Sequence, residues 1–285
     1  MNKPEIWVTG SRGFIGSNFI NWVKKHKIKF NEFRGDIRNN NDVFKMKYAD
    51  LIFNFAGPSS ISESVSLPEK YIETNIFGTF NLLELARKYP IKKLILISSV
   101  EVYGNSLKVD ENSPLIPENP YASSKASADI LAITYFKLYK IPVVILRLSN
   151  QYGPMQGTNK LIPNLITNAL KGKPLKIFGD GEKKKFWLYV DDTLEAIWMA
   201  ANKKNVEGEI FNIVGKDHLS VLEIAEIIRN MINPKIKIKY ISKKSFDSSV
   251  QKFDNFKTKI KLGWEPKTPI NVGLKKTINW YKSIN

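Results

Sequence analysis

Short apolar runs alternate along the first half of this chain with segments whose apolar residues recur every three to four positions. "IWVTG" (6–10) reads as a buried strand closed by glycine, and "FIGSNFINWVKKH" (14–26) has helical periodicity. "KIKFNEF" (27–33) and "DLIFNFAG" (50–57) follow as strands, "NIFGTFNLLELARKY" (75–89) as helix and "KKLILISS" (92–99) as strand. "SKASADILAITYFKLYK" (124–140) reads as helix and "PVVILRLSN" (142–150) as strand. The strands show no clean in–out alternation, so both of their faces are covered. Strands of that kind separated by helices predict an α/β fold, a doubly wound parallel sheet. Ligands of such sheets sit at the carboxyl ends of the strands.

After Asn150 the texture changes. "QYGPMQGTNK" (151–160) and "KGKPLKIFGDGEKKK" (171–185) are rich in glycine, proline and lysine, with a helix "LIPNLITNALKG" (161–172) between them. "FWLYVDDTLEAIWMAANKK" (186–204) and "GEIFNIVG" (208–215) return to strand–helix–strand. The tail reads as small helices around the half-exposed strand "IKIKYI" (236–241). The expected organisation is a dinucleotide-binding domain, 1–150 plus about 186–216, and a smaller C-terminal substrate-binding lobe, about 151–185 and 217–285.

Composition narrows the chemistry. The 285 residues are 43% hydrophobic and 12% aromatic, enough for a sizeable core. The absence of cysteine excludes disulfides, thiolate nucleophiles and Cys-based metal sites. With His26 and His218 as the only histidines, no metal site is expected. The strand carrying Glu5 does not read as a signal peptide, and no apolar run approaches the ~20 residues of a membrane span. The expectation is a soluble cytoplasmic protein without membrane contact. The net charge is +17, from 44 Lys+Arg against 27 Asp+Glu. Much of that charge alternates with isoleucine, as in "NPKIKIKYISKK" (233–244), which suits a solvated strand face. No nucleic-acid partner is expected from it.

"VTGSRGFIGSNF" (8–19) places Gly10, Gly13 and Gly16 between a strand and a helix. In that context the glycines permit a tight turn, and a pyrophosphate can rest on the helix N-terminus, where free N–H groups and the dipole favour an anion. Phe14 and Ile15 open that helix. An acidic residue some ~20 positions on would bind the ribose 2′-hydroxyl of NAD. In "KFNEFRGDIRN" (29–39) that place falls on Arg34, with Glu32 just before it. Arg34 and Arg12 together suit a 2′-phosphate, because guanidinium grips phosphate bidentately. This points to NADP(H), with NAD as the alternative if Glu32 takes the hydroxyl. Asp36 and Ile37 are candidates to flank the adenine.

"ISSVEVYG" (97–104) ends a buried strand, and "PYASSKASAD" (120–129) begins a helix with Tyr121 and Lys125 at i and i+4, on one face. A neighbouring ammonium lowers the pKa of a phenol, and Ser99 can hydrogen-bond the same substrate oxygen. The trio is what hydride transfer at a sugar carbon needs, since a proton moves on oxygen as hydride moves on carbon.

With these motifs the chain resembles the extended short-chain dehydrogenase/reductases that act on nucleotide sugars, whose core is a Rossmann sheet. "GDIRN", "NFAGPSS", "RLSNQYGP" and "WLYVDD" carry the likeness further, over nearly the whole length. The resemblance implies that Gly10, Gly13 and Gly16 hold the cofactor pyrophosphate and that Phe55, Ala56 and Asn75 line its passage. Tyr121 and Lys125 are then the catalytic pair, assisted by Ser99. It implies further that Asn150 holds the diphosphate of a nucleotide-diphosphate sugar. "PLKIF" (Pro174 to Phe178, including Ile177) would sandwich the base, and Lys160, beside Leu161, and Lys185 would meet phosphates. A homodimer through helices near 76–89 and 121–138 is also implied.

The reaction is less direct. In dTDP-glucose 4,6-dehydratases the strand-end motif reads Thr-Asp-Glu, and the aspartate protonates the departing hydroxyl; here the residues are Ser99, Val100 and Glu101, and valine donates no proton. The Arg-rich segment of those enzymes is replaced by "KKSFDSSVQKFD" (243–254). Glu101 is a candidate base at the sugar or a carboxylate that orients its neighbours. With NADP(H) expected, the leading expectation is reduction of a 4-keto(-6-deoxy) sugar at C4. The alternative is a NAD-dependent 4-epimerase or 4,6-dehydratase. A non-catalytic redox sensor would have no use for Ser99, Tyr121 and Lys125 together.

Overall fold

The computed structural model describes residues 4–242 and 250–284. The chain divides into two compact units. The first comprises Met1–Leu148, Leu194–Ile213 and Phe246–Glu265, the second Ser149–Thr193, Val214–Ser245 and Pro266–Asn285.

In the first unit six parallel strands form one sheet: β1 (Ile6–Thr9), β2 (Asn31–Glu32), β3 (Leu51–Asn54), β4 (Lys93–Ser99), β6 (Val143–Leu148) and β10 (Ile210–Ile213), in the order β10-β6-β4-β3-β1-β2. Every residue of β3, β4 and β6 is buried, as expected of a parallel sheet covered on both faces. On one face Ile52, Leu94, Leu96, Val143 and Ile145 pack with Leu82, Leu83 and Leu85 of α5 (Gly78–Lys88) and Ala132 of α6 (Pro120–Tyr139). On the other, Phe53 meets Phe19 of α1 (Phe14–Lys25) at 4.6 Å and stacks on Trp198 of α8 (Val190–Asn202). A short α2 (Asn40–Val43), α3 (Ile61–Ser66) and α4 (Pro68–Tyr71) lie in the connections, and β5 (Ser106–Val109) pairs with β13 (Val250–Phe253).

Two expected elements differ. The strand read over 27–33 shrinks to Asn31–Glu32, which pair with Trp7 and Val8, and no described strand lies outside it. The helix read over 75–89 opens as a π-helical stretch, Ile72–Phe77, before α5. α6 forms where local chemistry demands it: the Asn119 side chain accepts from Ala122 N, Pro120 occupies the first turn, and Lys140 closes the helix in the left-handed region.

The second unit holds β7 (Asn150–Tyr152), α7 (Leu161–Leu170), β8 (Leu175–Phe178), β9 (Lys184–Tyr189), β11 (Asp217–Ser220), α9 (Val221–Ile232), β12 (Ile238–Ile241) and α10 (Ile270–Ile284). β11-β9-β7 form one small sheet and β12-β8 another. Ser220 and Glu223 close a capping box at the start of α9. The second aspartate of "WLYVDD", Asp192, accepts from Lys267 N, Thr268 N and Thr268 Oγ1 at 2.8–3.1 Å, tying the segment before α10 to the start of α8. No described helix is long and apolar enough to cross a membrane.

Candidate functional site

The glycine turn is built by close approach. Gly10 has φ +62°, and a Cβ there would lie 2.5 Å from Ala56 N and the Phe55 carbonyl carbon. At Gly16 a Cβ would lie 2.1 Å from Gly10 O, so α1 sits directly against the turn. Gly13 N donates to Gly10 O at 3.0 Å, and no side chain caps α1 at Gly13. Thr9 Oγ1 donates to Asn54 Oδ1 at 2.6 Å, pinning the ends of β1 and β3 together. Phe14 and Ile15 are half-buried, and Phe55 packs on Phe19 at 5.1 Å. An uncapped helix start behind a turn this closely packed leaves backbone N–H groups that could hold an anion.

At the neighbouring edge β2 ends on Glu32, two residues short of Arg34. Glu32 lies beside Val8 in the sheet, and its carboxylate accepts from Ser11 Oγ of the glycine turn at 3.3 Å. Arg34 and Arg12 are both exposed. Because the strand closes at Glu32, the residue at its carboxyl end is the acid. Asp36 is held by Arg38, which also bonds Glu73, and this lowers the Asp36 carboxyl pKa. Ile37, the other residue expected to flank the adenine, follows Asp36 directly. It is buried in the core against Gly78 of α5, and its carbonyl accepts from Asn81 Nδ2.

The three expected catalytic residues come together at the end of β4. Ser99 caps the short turn Val100–Tyr103, its Oγ accepting from Glu101 N at 3.2 Å. Lys125 Nζ donates to Ile97 O at 2.9 Å. Asn75, in the π-helical stretch, donates through Nδ2 to Ser124 Oγ at 2.8 Å, while its buried Oδ1 has no partner. That oxygen lies 2.3 Å from where a Cβ on Gly57 would be, with Lys125 Nζ 3.5 Å from the same point. The ground from Gly10 through Ala56 and Gly57 to Asn75 and Lys125 is therefore contiguous.

Ionisation departs from the expectation. Burial pushes the Tyr121 phenol up to about 12; hydrogen bonding with Ser99 pulls it down, and Glu101 and Asp129 raise it. Burial takes the Lys125 ammonium down to about 8, against the pull of Asp129. Lys125 is turned to a strand carbonyl, so without further partners the phenol is not made acidic by it. Glu101 and Val100 are both buried.

In the second unit, Asn150 is half-buried on β7 opposite Trp187. Half-buried Lys160 is the N-cap position of α7, ahead of half-buried Leu161, and Pro174 is half-buried before β8. β8 alternates strictly: Leu175 and Ile177 are buried, Lys176 and Phe178 exposed. Ile177 thus belongs to the core and not to a ligand-facing surface, while Phe178, 51% exposed, presents its ring. Lys185 is buried on β9. Of the 243–254 segment, residues 243–249 lie outside the described residues. Among the described residues no cluster of acidic and histidine side chains could hold a metal.

Sequence reading missed Gly57 and the buried pair Asp129–Arg147, joined at 2.8 Å. The i+4 step from Lys125 to Asp129 was the available signal.

A family model described as GDP-mannose 4,6 dehydratase matches residues 22–277. The chain is 32% identical to low-salt glycan biosynthesis protein Agl12 of Haloferax volcanii, over 97% of this chain and 98% of the relative. It is also 32% identical to dTDP-glucose 4,6-dehydratase of Escherichia coli, over 97% and 93%. Among solved structures, a double mutant of DesIV, the dTDP-glucose 4,6-dehydratase of Streptomyces venezuelae, with NAD bound, superposes with TM-score 0.91 at 28% identity, over 98% and 97% of the two chains. The UDP-glucuronic acid 4-epimerase of Bacillus cereus, in complex with UDP-glucuronic acid and NAD, superposes with TM-score 0.89 at 28% identity, over 99% and 100%.

Proposed function

The chain belongs to the GDP-mannose 4,6-dehydratase family of nucleotide-sugar enzymes, and on that premise we propose that it is a NAD-dependent C4 oxidoreductase of a nucleotide-diphosphate sugar, acting as a 4-epimerase. The observation that carries the reading is the meeting of Ser99, Tyr121 and Lys125 at the end of β4, on ground continuous with the glycine turn. The glycine turn, packed against β3 and α1 too closely for a Cβ at Gly10 or Gly16, and the unpartnered Asn75 Oδ1 fit a dinucleotide there. Glu32 at the turn supports a free ribose 2′-hydroxyl, hence NAD in place of the NADP(H) expected from Arg12 and Arg34.

Gly10, Gly13 and Gly16 would seat the pyrophosphate, Glu32 the adenosine ribose, and Lys125 with Asn75 the nicotinamide end. When bound, the nicotinamide supplies a hydride acceptor that later returns the hydride. As the phenolate, Tyr121 would take the proton of the sugar C4 hydroxyl as the C4 hydride departs, and would give it back when hydride returns to the other face. At the value of about 12 set by burial, that phenolate needs the Lys125 ammonium turned towards it. Ser99 holds the same oxygen. Val100 leaves the site without the acid that dehydration uses, which favours epimerisation over loss of water. For the nucleotide end, Asn150, Lys160 and Phe178 of the second unit remain the candidates. A second copy of the chain is the proposed partner of α5 and α6, which expose Phe80, Ile130, Leu138 and Tyr139.

The test is incubation of the purified chain with UDP- and dTDP-glucose and -galactose, without added cofactor, followed by NMR of the anomeric signals. Interconversion at C4, with NAD released on denaturation, is expected. No conversion refutes the reading. Oxidation of NADPH by 4-keto-6-deoxy sugars would instead establish the second reading, the reductase, which exposed Arg12 and Arg34 favour.

A further inference from the structure

A row of buried charges continues from Lys125 into the protein, and the chemistry above makes no use of it. Asp129 is the next residue of the Tyr121–Lys125 stripe, one turn beyond the lysine and two beyond the phenol. Its Oδ2 accepts from Arg147 Nε at 2.8 Å, with the two side chains 1% and 2% exposed. Arg147 stands on β6 opposite Ser98 of β4, and the last three residues of β4 meet three successive turns of the helix. Ser99 faces Tyr121, Ile97 O receives Lys125, and Ser98 flanks Asp129. Arg147 Nη1 also donates to Tyr103 Oη at 2.8 Å, and Tyr103 donates to Asn212 Oδ1 at 2.8 Å. Two charges taken this far from water add little to stability that apolar residues of the same shape would not. Their alternation in sign with Lys125 suggests another role.

We propose that Asp129 is a positioning residue for the catalytic ammonium: it is the countercharge that keeps Lys125 protonated, and Arg147 keeps Asp129 ionised. The proposal rests on the reading of Lys125 as a catalytic group. Burial drives the lysine towards its neutral form and Asp129 opposes it; burial raises the Asp129 carboxyl above its ordinary range, and the Arg147 guanidinium bonded to it opposes that. The other groups around Lys125 are Tyr121 on its own helix, the Ile97 carbonyl of β4 and Asn75 from the π-helical stretch, while Glu101 of the turn after β4 faces Tyr121 and Tyr103 of that turn bonds Arg147. Tyr71 of α4, bonded to Glu63 of α3, reaches Tyr121. Among these Glu101 acts on the phenol, and Asp129 is the carboxylate on the lysine.

The test reads the lysine directly, in the full chain without cofactor or substrate. Lysine labelled with 13C at the ε carbon is titrated by NMR, the Lys125 signal being identified by its loss in Lys125→Arg. Asp129→Asn should lower the Lys125 midpoint by about one pH unit or more, and Asp129→Glu should leave it in place. The double variant Asp129→Asn/Arg147→Gln removes both members of the buried pair, so neither is left facing a lost partner, and should show the lowered midpoint even if the single variant does not fold. A midpoint unchanged in the variants that fold, alongside reduced thermal stability, would assign the pair a purely structural role and overturn the proposal. Because no turnover is involved, failure of the sugar assays would sink the enzymatic reading and leave this titration intact.

Discussion

Alanine at position 16 and alanine at position 13 add the same methyl group to the same turn, and the structure predicts opposite consequences. At Gly16 the new Cβ would lie 2.1 Å from Gly10 O and 2.9 Å from Gly10 C, both backbone atoms with no flexible end to swing away. Relief to ordinary contact requires α1 to move by about 1 Å off the sheet, an overpacking that costs about 1–3 kcal/mol. At about 2–4 °C per kcal/mol, the cofactor-free protein should melt roughly 2–12 °C lower. At Gly13 the Cβ would meet Gly10 O at 3.3 Å, and the backbone, at φ −76° and ψ 171°, suits any residue. Stability should fall there by about 1 kcal/mol or less, the difference between glycine and alanine at an uncapped helix start. Yet the methyl would stand where a pyrophosphate approaches the backbone, so NAD binding should weaken at least tenfold, or about 1.4 kcal/mol. Differential scanning calorimetry without cofactor and titration calorimetry with NAD read the two effects separately. Gly13→Ala binding NAD as tightly as the parent would refute the turn as the pyrophosphate seat. Gly16→Ala melting unchanged would refute the packing argument.

Tyr121→Phe should fold normally and lose at least a hundredfold in kcat, since general acid–base groups contribute about 10²–10⁴-fold; steady-state turnover checks this. Glu32→Gln should narrow the preference for NAD over NADP, because the carboxylate that repels a 2′-phosphate is gone; the ratio of the two Kd values is the readout. Asp192→Asn removes a charge that three donors share and should destabilise the second unit by about 2–4 kcal/mol in urea melts. Lys125 titrates at about 8 in the fold against 10.5 ordinarily, so between those values the unfolded chain holds the extra proton. Stability contributed through this group therefore rises as pH climbs from 8 to 10.5. Lys125→Met should flatten that rise in pH-dependent denaturation.

The parts of the site set by spacing within one element were legible in advance. Tyr121 and Lys125 share a face because α6 is a helix, and the three glycines follow a strand. Parts that depend on register were not. Whether Glu32 or Arg34 ends β2 turns on where pairing with β1 stops, and that is a tertiary event. Ile177 was legible and misread: Leu175 and Ile177 alternate with Lys176 and Phe178, the period of a half-buried strand. The phenol's ionisation was out of reach, because desolvation is a property of packing. So was the π-helical stretch that points Asn75 at Gly57, since no periodicity announces one extra residue in a turn.

The brevity of β2 has a consequence beyond cofactor choice. A strand of two residues at the flank of a parallel sheet presents almost no unpaired backbone for a foreign chain to zip onto. That border is instead dressed in side chains, Asp36, Arg38 and Glu73 among them, whose pairings loosen as salt rises. The protein thereby guards against self-templating on this side with chemistry that ionic strength can tune.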